Sequence, residues 1–227
     1  MAINKYDLEY LEIDSKRKPI FIFVNHKTAL VCWAKIGKQI NKKPNVITFD
    51  SHGDFRGGLI NGEQPTIRES HFGSKYVSHL KHFTKCKEFM SWDISDNEQN
   101  IKFVEQEKKF LLMTNDNFID AAFMKDIISN VYWYFLNHSG NAKSGKCDDF
   151  NDKNHLFVRS DVKKFKHPSK PFILDIDLDF FVKYYDRYDC ESVPVSDVKI
   201  KRYLSLQKEL FLNPLCRGLT IALEPSG

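Results

Sequence analysis

Short apolar runs alternate along this chain with segments in which apolar residues recur at helical spacing. Five runs rich in β-branched and aromatic residues predict buried strands, at 19–24, 46–49, 130–136, 172–178 and 219–223. Helical spacing predicts helices at 28–40 and 118–128, and Ser196 is the expected N-cap of a further helix that ends near residue 212. The polar, glycine-containing stretch 139–154 predicts a surface loop.

The order of these elements predicts the fold class. Strands that alternate with helices favour an α/β fold, here a three-layer α/β/α arrangement with a mostly parallel central sheet. A chain of 227 residues is long enough for one such unit with a buried core, so we predict a single domain over residues 1–227.

Composition and charge limit the kinds of binding partner and the cellular compartment to be expected. The formal net charge of +4 is spread along the chain and is too small to indicate a nucleic-acid partner. The five cysteines form no CxxC pair, which is typical of free thiols in a reducing compartment. No run approaches the ~20 apolar residues that span a bilayer, and no signal-peptide pattern is visible. We therefore expect a cytoplasmic protein without a membrane partner.

Two of the predicted strands end in clusters of potential metal ligands. These are Asp50, His52 and Asp54 after the strand at 46–49, and Asp175, Asp177 and Asp179 at the end of the strand at 172–178. Alternate side chains of an extended segment point the same way, and ligands of parallel sheets bind beyond the carboxyl ends of the strands. So many ionised carboxylates in one cleft repel each other unless cations neutralise them. Oxygen and imidazole donors suit Mn, Fe, Co or Zn, and two dications about 3.5–4 Å apart can share carboxylates.

The paired motifs resemble those of the ureohydrolase superfamily, which contains arginase and agmatinase and shares its fold with histone deacetylases. The resemblance implies two Mn²⁺ ions, or other divalent transition metals, held by a DxHxD segment, a DxD segment and an earlier histidine. His26 follows the strand at 19–24 at a similar separation. The implied metal ligands are His26, Asp50, His52, Asp54, Asp175 and Asp177. Asp50 and Asp175 would bridge the ions, His26 and Asp54 would complete one metal, and His52 and Asp177 would complete the other.

The resemblance also implies the groups that act on the substrate. Arginases place a glutamate after the last strand of the sheet, where it binds the substrate guanidinium, and Glu224 fits that position. A carboxylate matches two N–H groups of the guanidinium fork. His71 is the nearest match for the general acid that protonates the leaving amine. The predicted catalytic residues are therefore His71, Asp54 and Glu224, with Glu224 binding the substrate.

Departures from the common arginase pattern indicate a divergent branch. Val24-Asn25-His26 stands where GGDHS is usual, and the second motif reads DIDLDFF, without the usual Gly and Pro. These features are similar to peptide arginases, which convert arginine side chains of ribosomally made peptides to ornithine and release urea. The implied partner is an arginine-containing precursor peptide or a small guanidino substrate, and the motifs do not separate the two. The sequence does not predict an oligomeric state.

Other functions stay open at this point. The main alternative is a deacetylase-type amide hydrolase on the same fold, which usually binds one zinc with Asp, His and Asp. Residues 50–53 are similar to the DxHG motif of metallophosphoesterases, but their later GNH[DE] and GHxH motifs are absent from the sequence. The LDIDLD run is similar to the nucleophile strand of haloacid-dehalogenase phosphatases, but it lies late in the chain. A non-catalytic metal-dependent binding protein is a third class, for which a His71 remote from the metals would be the mark.

Overall fold

The computed structural model describes residues 10–13, 18–50, 91, 93, 94, 96, 118–134, 145–151, 154–159, 169–184 and 192–223. The helices in these ranges are α1 (Ala29–Ile40), α2 (Phe118–Met124) and α3 (Asp197–Leu212). The strands are β1 (Tyr10–Ile13), β2 (Ile20–Phe23), β3 (Asn45–Phe49), β4 (Asn130–Tyr134), β5 (Gly145–Asn151), β6 (Asn154–Arg159), β7 (Phe172–Asp177), β8 (Val182–Tyr184), β9 (Ser192–Pro194) and β10 (Cys216–Ala222).

Eight of the described strands form one sheet, in the order β1-β2-β10-β7-β3-β4-β6-β5. The six inner strands are parallel, whereas the outer strands β1 and β5 each pair antiparallel with their neighbour. Strands β8 and β9 form a separate antiparallel pair. The predicted α/β class with a mostly parallel sheet is confirmed.

The predicted elements agree with the structure where an apolar pattern was present. All five predicted strands and all three predicted helices form, with bounds that differ by a few residues. Ser196 is the N-cap of α3, although its side chain makes no capping hydrogen bond.

The prediction of a surface loop at 139–154 is wrong for its later part. Strand β5 occupies 145–151, and β6 begins at Asn154. Among the strands that the structure describes, β5 lies at the edge of the sheet and pairs only with β6. An edge strand is held by backbone hydrogen bonds to one neighbour and needs no alternating apolar pattern. The polar composition of this segment therefore did not indicate a strand.

Alternate residues of the central strands contribute to two separate hydrophobic clusters. On β7, Ile173 belongs to the cluster that contains α1 and α2, whereas Leu174 and Ile176 belong to the cluster that contains α3. Successive side chains of a strand point to opposite faces of the sheet. Asp175 and Asp177 therefore lie on the same face as Ile173, the face that packs against α1.

Gly218 allows α1 to lie close to β10. A Cβ atom at this position would be 2.5 Å from Cδ1 and 3.2 Å from Cγ1 of Ile36, whose side chain is fully buried. We expect Gly218→Ala to lower the free energy of unfolding by about 1–3 kcal/mol, because the buried side chain must shift. Urea denaturation measures the change. In an Ile36→Val background the Cδ1 contact is gone, so the same substitution should cost less. An equal cost in both backgrounds would contradict this explanation.

Gln207 places an amide inside the apolar side of α3. Its side chain is 4% exposed, and neither Nε2 nor Oε1 has a hydrogen-bond partner in the part of the chain that the structure describes. It lies one helical turn from Tyr203 and Leu210, which pack in the α3 cluster.

A buried amide without a partner destabilises a protein by roughly 1–3 kcal/mol. We expect Gln207→Met to raise the free energy of unfolding by about 1 kcal/mol, because a flexible thioether side chain fills a similar space without amide groups. Thermal and urea denaturation measure this. The control Gln207→Glu should lower stability, since it buries a charge. A less stable Met variant would show that the amide has a structural role.

Candidate metal centre

His26 is placed by the connection between β2 and α1. Strand β2 ends at Phe23, and a 3-10 turn, His26–Thr28, leads directly into α1. The backbone N–H of Thr28 donates to the carbonyl of Asn25 at 3.0 Å and closes this turn. The His26 side chain is fully buried, and its ring centroid lies 4.8 Å from that of Phe118 in α2. The turn therefore holds the imidazole at the carboxyl edge of the sheet.

Polar residues form two rows across the central strands. In the inner row, Thr48 of β3 and Thr220 of β10 are both register partners of Asp175 on β7. The outer row lies two residues further along the strands and contains Asp50 and Asp177, since the preceding residues Phe49 and Ile176 are paired. All five polar residues of the two rows are buried.

The backbone of Asp50 is fixed by β4. Its N–H donates to the carbonyl of Tyr134 at 3.1 Å, and its own carbonyl accepts from Nε1 of Trp133 at 3.0 Å. The Asp177 side chain is oriented by the next turn of the chain, because its Oδ1 accepts from the backbone N–H of Asp179 at 3.1 Å. The other oxygen, Oδ2, lies close to the imidazole of His26.

The imidazole of His26 lies between the two rows. Its Nε2 is 2.8 Å from Oδ2 of Asp175 in the inner row. Its Nδ1 is 3.3 Å from Oδ2 of Asp50 and 3.2 Å from Oδ2 of Asp177 in the outer row. A neutral imidazole has one N–H donor and one acceptor nitrogen. Both nitrogens face carboxylates here, so the contacts of Nδ1 require a further proton, on the ring or on an aspartate, or a cation between Nδ1 and the outer row.

Burial and the neighbouring charges shift the pKa values of His26 and Asp177. Burial disfavours the charged form of His26, but the charge of Asp175 and hydrogen bonds with the three surrounding aspartates raise its pKa well above the ordinary value. Burial also raises the pKa of the Asp177 carboxyl, and the charge of Asp179 adds to the rise, whereas His26 and the backbone N–H of Asp179 oppose it. In the metal-free chain, bound protons thus offset the repulsion among these carboxylates. A divalent cation would offset the same repulsion.

The geometry and the donors fit a metal ion. One ring nitrogen of His26 and one oxygen each of Asp50 and Asp177 all lie within 4.8 Å of one another. Ligands that bind a dication with bonds of about 2.1 Å are separated by roughly 3.0–3.4 Å in octahedral or tetrahedral geometry. The two separations from Nδ1, 3.2 and 3.3 Å, fall within that interval. One imidazole and two carboxylates suit Mn, Fe, Co or Zn, so this buried group could hold a metal ion.

The structure brings four of the six predicted ligands together: His26, Asp50, Asp175 and Asp177. Both oxygens of Asp175 contact hydroxyl groups of neighbouring strands. Oδ2 accepts from Oγ1 of Thr48 at 2.8 Å, and Oδ1 accepts from Oγ1 of Thr220. Sequence reasoning missed both threonines. Thr48 could have been found from its position two residues before Asp50 on the same strand, whereas Thr220 is identified only by the register of the sheet.

The remaining predicted site residues, His52, Asp54, His71 and Glu224, lie outside the described residues. Their roles stay predictions, as does the bridging role of Asp175.

The fold and the site define an α/β protein with a candidate metal centre at the carboxyl edge of its parallel strands. A scan of the chain against protein-family models gives no match, and neither does a search of curated proteins. None of the helices in the described ranges combines the length and apolar character needed to cross a membrane.

Proposed function

We propose that this protein is a binuclear metal-dependent hydrolase of the arginase type. Its substrate would be the guanidinium group of arginine within a ribosomally made precursor peptide, and its products ornithine and urea. The observation that carries this proposal is the buried group of His26, Asp50 and Asp177 at the carboxyl edge of the sheet. The proposal includes the three-layer α/β/α arrangement of the ureohydrolase superfamily.

The proposed metal centre combines three residues that the structure describes with two that lie outside the described residues. His26, Asp50 and Asp177 would bind the cations together with His52 and Asp54, which follow Asp50 in the DxHxD motif. We propose two Mn²⁺ ions, and other divalent transition metals suit the same donors. Bound cations of this kind lower the pKa of water and stabilise the charge that develops during hydrolysis.

The order of the strands supports the proposed substrate site. Strand β10 lies between β2, which leads to His26, and β7, which ends in Asp177. Glu224 follows β10 directly, after Leu223. We propose that its carboxylate binds the guanidinium beside the metals, and that His71 donates a proton to the leaving amine. Asp54 would act both as a ligand and in catalysis.

A deacetylase-type amide hydrolase is the second candidate. The described group contains one histidine and two aspartates, which is the ligand set that the resemblance associates with a single zinc. The two candidates differ in metal content. Protein loaded with Mn²⁺ should contain about two ions per chain if the binuclear proposal is correct, and a value of one would favour the amide hydrolase.

The decisive experiment compares substrates in parallel. Urea should be released from an arginine-containing precursor peptide in the presence of Mn²⁺, and free arginine and agmatine show whether small guanidino compounds are also accepted. An acetyl-lysine peptide tests the alternative. Asp177→Asn is the negative control for each substrate. Absence of urea from all three guanidino substrates, in protein with bound Mn²⁺, would contradict the arginase-type proposal.

A further inference from the structure

We propose that Asp175, together with Thr48 and Thr220, orients His26 so that Nε2 carries the ring proton and Nδ1 binds the cation. Asp175 is then a positioning residue behind the imidazole and not a ligand of the cation at Nδ1, in contrast to the bridging role that the resemblance implies. This inference rests on the proposed metal centre and deepens it by assigning the inner row a role.

Two hydroxyl groups hold the Asp175 carboxylate from both sides. Oγ1 of Thr48 on β3 donates to Oδ2 at 2.8 Å, and Oγ1 of Thr220 on β10 donates to Oδ1. The three residues are neighbours across the sheet, so the backbone ladder fixes their relative positions. A carboxylate accepts several hydrogen bonds in its ionised form and donates none. This arrangement holds the Asp175 carboxylate in one fixed orientation.

Helix α1 adds a further contact that directs the Thr220 hydroxyl. Nε1 of Trp33 donates to Oγ1 of Thr220 at 3.2 Å. An indole N–H is only a donor, so the threonine oxygen accepts this bond and its hydrogen is available for Asp175. The carbonyl of Leu174, at 3.5 Å from Oγ1, is the more distant acceptor. The buried Trp33 therefore completes a chain of hydrogen bonds that runs from α1 through Thr220 to Asp175.

This chain of hydrogen bonds determines which nitrogen of His26 faces the cation. Oδ2 of Asp175 lies 2.8 Å from Nε2, and both oxygens of Asp175 already accept hydroxyl hydrogens, so Nε2 is the donor in this contact. With the proton on Nε2, the lone pair on Nδ1 points toward Asp50 and Asp177, which lie 3.3 and 3.2 Å away. A carboxylate that accepts the second N–H of a metal-bound histidine fixes the ring and makes it a stronger ligand.

The position of Asp175 along β7 separates it from the outer row. It lies two residues before Asp177, which corresponds to about 6.6 Å along a strand. The imidazole lies between the Asp175 carboxylate and the outer row, since Nε2 faces Asp175 and Nδ1 faces Asp50 and Asp177. To bind the same cation, Asp175 would have to leave both threonines and reach past the His26 ring.

The first test measures Mn²⁺ affinity in variants of the two threonines. Thr48→Val and Thr220→Val keep the side-chain shape but remove the hydroxyl, and we expect each to weaken Mn²⁺ binding by about 10–100-fold. Thr48→Ser and Thr220→Ser retain the hydroxyl and should bind close to the wild-type level. Ile173→Val is the matched control, because it lowers core stability on the same face of β7 without touching the hydrogen bonds, and its affinity should be unchanged.

The second test uses the nitrogen resonances of His26 in the Zn²⁺-bound protein. We expect coordination through Nδ1 and a protonated Nε2 in the wild type, with this pattern weakened in the Thr48→Val/Thr220→Val variant. Coordination through Nε2, or wild-type affinity in both Val variants, would overturn the role of Asp175 alone. Absence of Mn²⁺ and Zn²⁺ binding by the wild type would overturn the metal centre and this inference together.

Discussion

Asp177→Asn is expected to abolish urea release and to weaken divalent-cation affinity by more than about 100-fold, the upper range for loss of a residue that only supports a ligand. Asparagine keeps the shape of the side chain, and its oxygen can still accept the N–H of Asp179, as Oδ1 of Asp177 does. The second oxygen, which lies 3.2 Å from Nδ1 of His26, is replaced by an amide that cannot act as an anionic ligand.

The metal-free Asp177→Asn variant should fold and be at least as stable as the metal-free wild type. Burial raises the pKa of the Asp177 carboxyl, which means that its charge is unfavourable without a cation. Thermal denaturation in the presence of a chelator measures this. Asp197→Asn, an exposed carboxylate in the first turn of α3, is the matched control and should leave affinity and turnover unchanged. Wild-type turnover in Asp177→Asn would remove Asp177 from the mechanism.

Removal of bound metal with a chelator is expected to lower the melting temperature by an amount that increases as pH rises. A ligand present at about 1,000 times its dissociation constant stabilises the folded state by roughly 4 kcal/mol. For a chain of this size that corresponds to a shift of about 8–16 °C. Thermal denaturation with Mn²⁺ or with chelator, at pH values of about 6, 7 and 8, measures the shift at each pH.

The direction of this pH dependence follows from His26 and Asp177. In the metal-free protein the pKa of His26 is raised well above its ordinary value. Its contribution to stability is therefore complete below about pH 6.5 and is lost as pH rises through the raised pKa. The raised pKa of Asp177 acts in the same direction, because the folded state again binds more protons than the unfolded state. Metal-free stability should thus fall as pH rises above about 6.5.

The metal-bound protein should not show this loss. A cation at Nδ1 of His26 replaces the proton there, so the difference in melting temperature between the two forms should widen with pH. The Asp177→Asn variant should show little effect of the chelator at any pH. A difference that narrows as pH rises would contradict the proposed coordination by His26 and Asp177.

Elements with a strong apolar pattern could be predicted from the sequence alone. Strands β3 and β7 are buried on both faces, which requires apolar residues at successive positions. Such residues, at 46–47 and at 172–174, are visible without any tertiary information. The edge strand β5 could not be predicted in this way, because its pairing with β6 depends on backbone groups that every residue carries.

The sequence by itself determined that acidic residues stand at the ends of two buried strands. Because parallel strands end at a common edge of the sheet, these residues were expected to meet, and Asp50 and Asp177 do meet there. The alternation of side chains along β7 could not show which aspartate belongs to the inner row and which to the outer row, since Asp175 and Asp177 lie on the same face of the strand. Only the tertiary structure placed Thr48 and Thr220 on either side of Asp175. It also placed the His26 ring between the two rows. These contacts join residues far apart in the chain, and strand register and the turn before α1 decide them, so no local pattern encodes them.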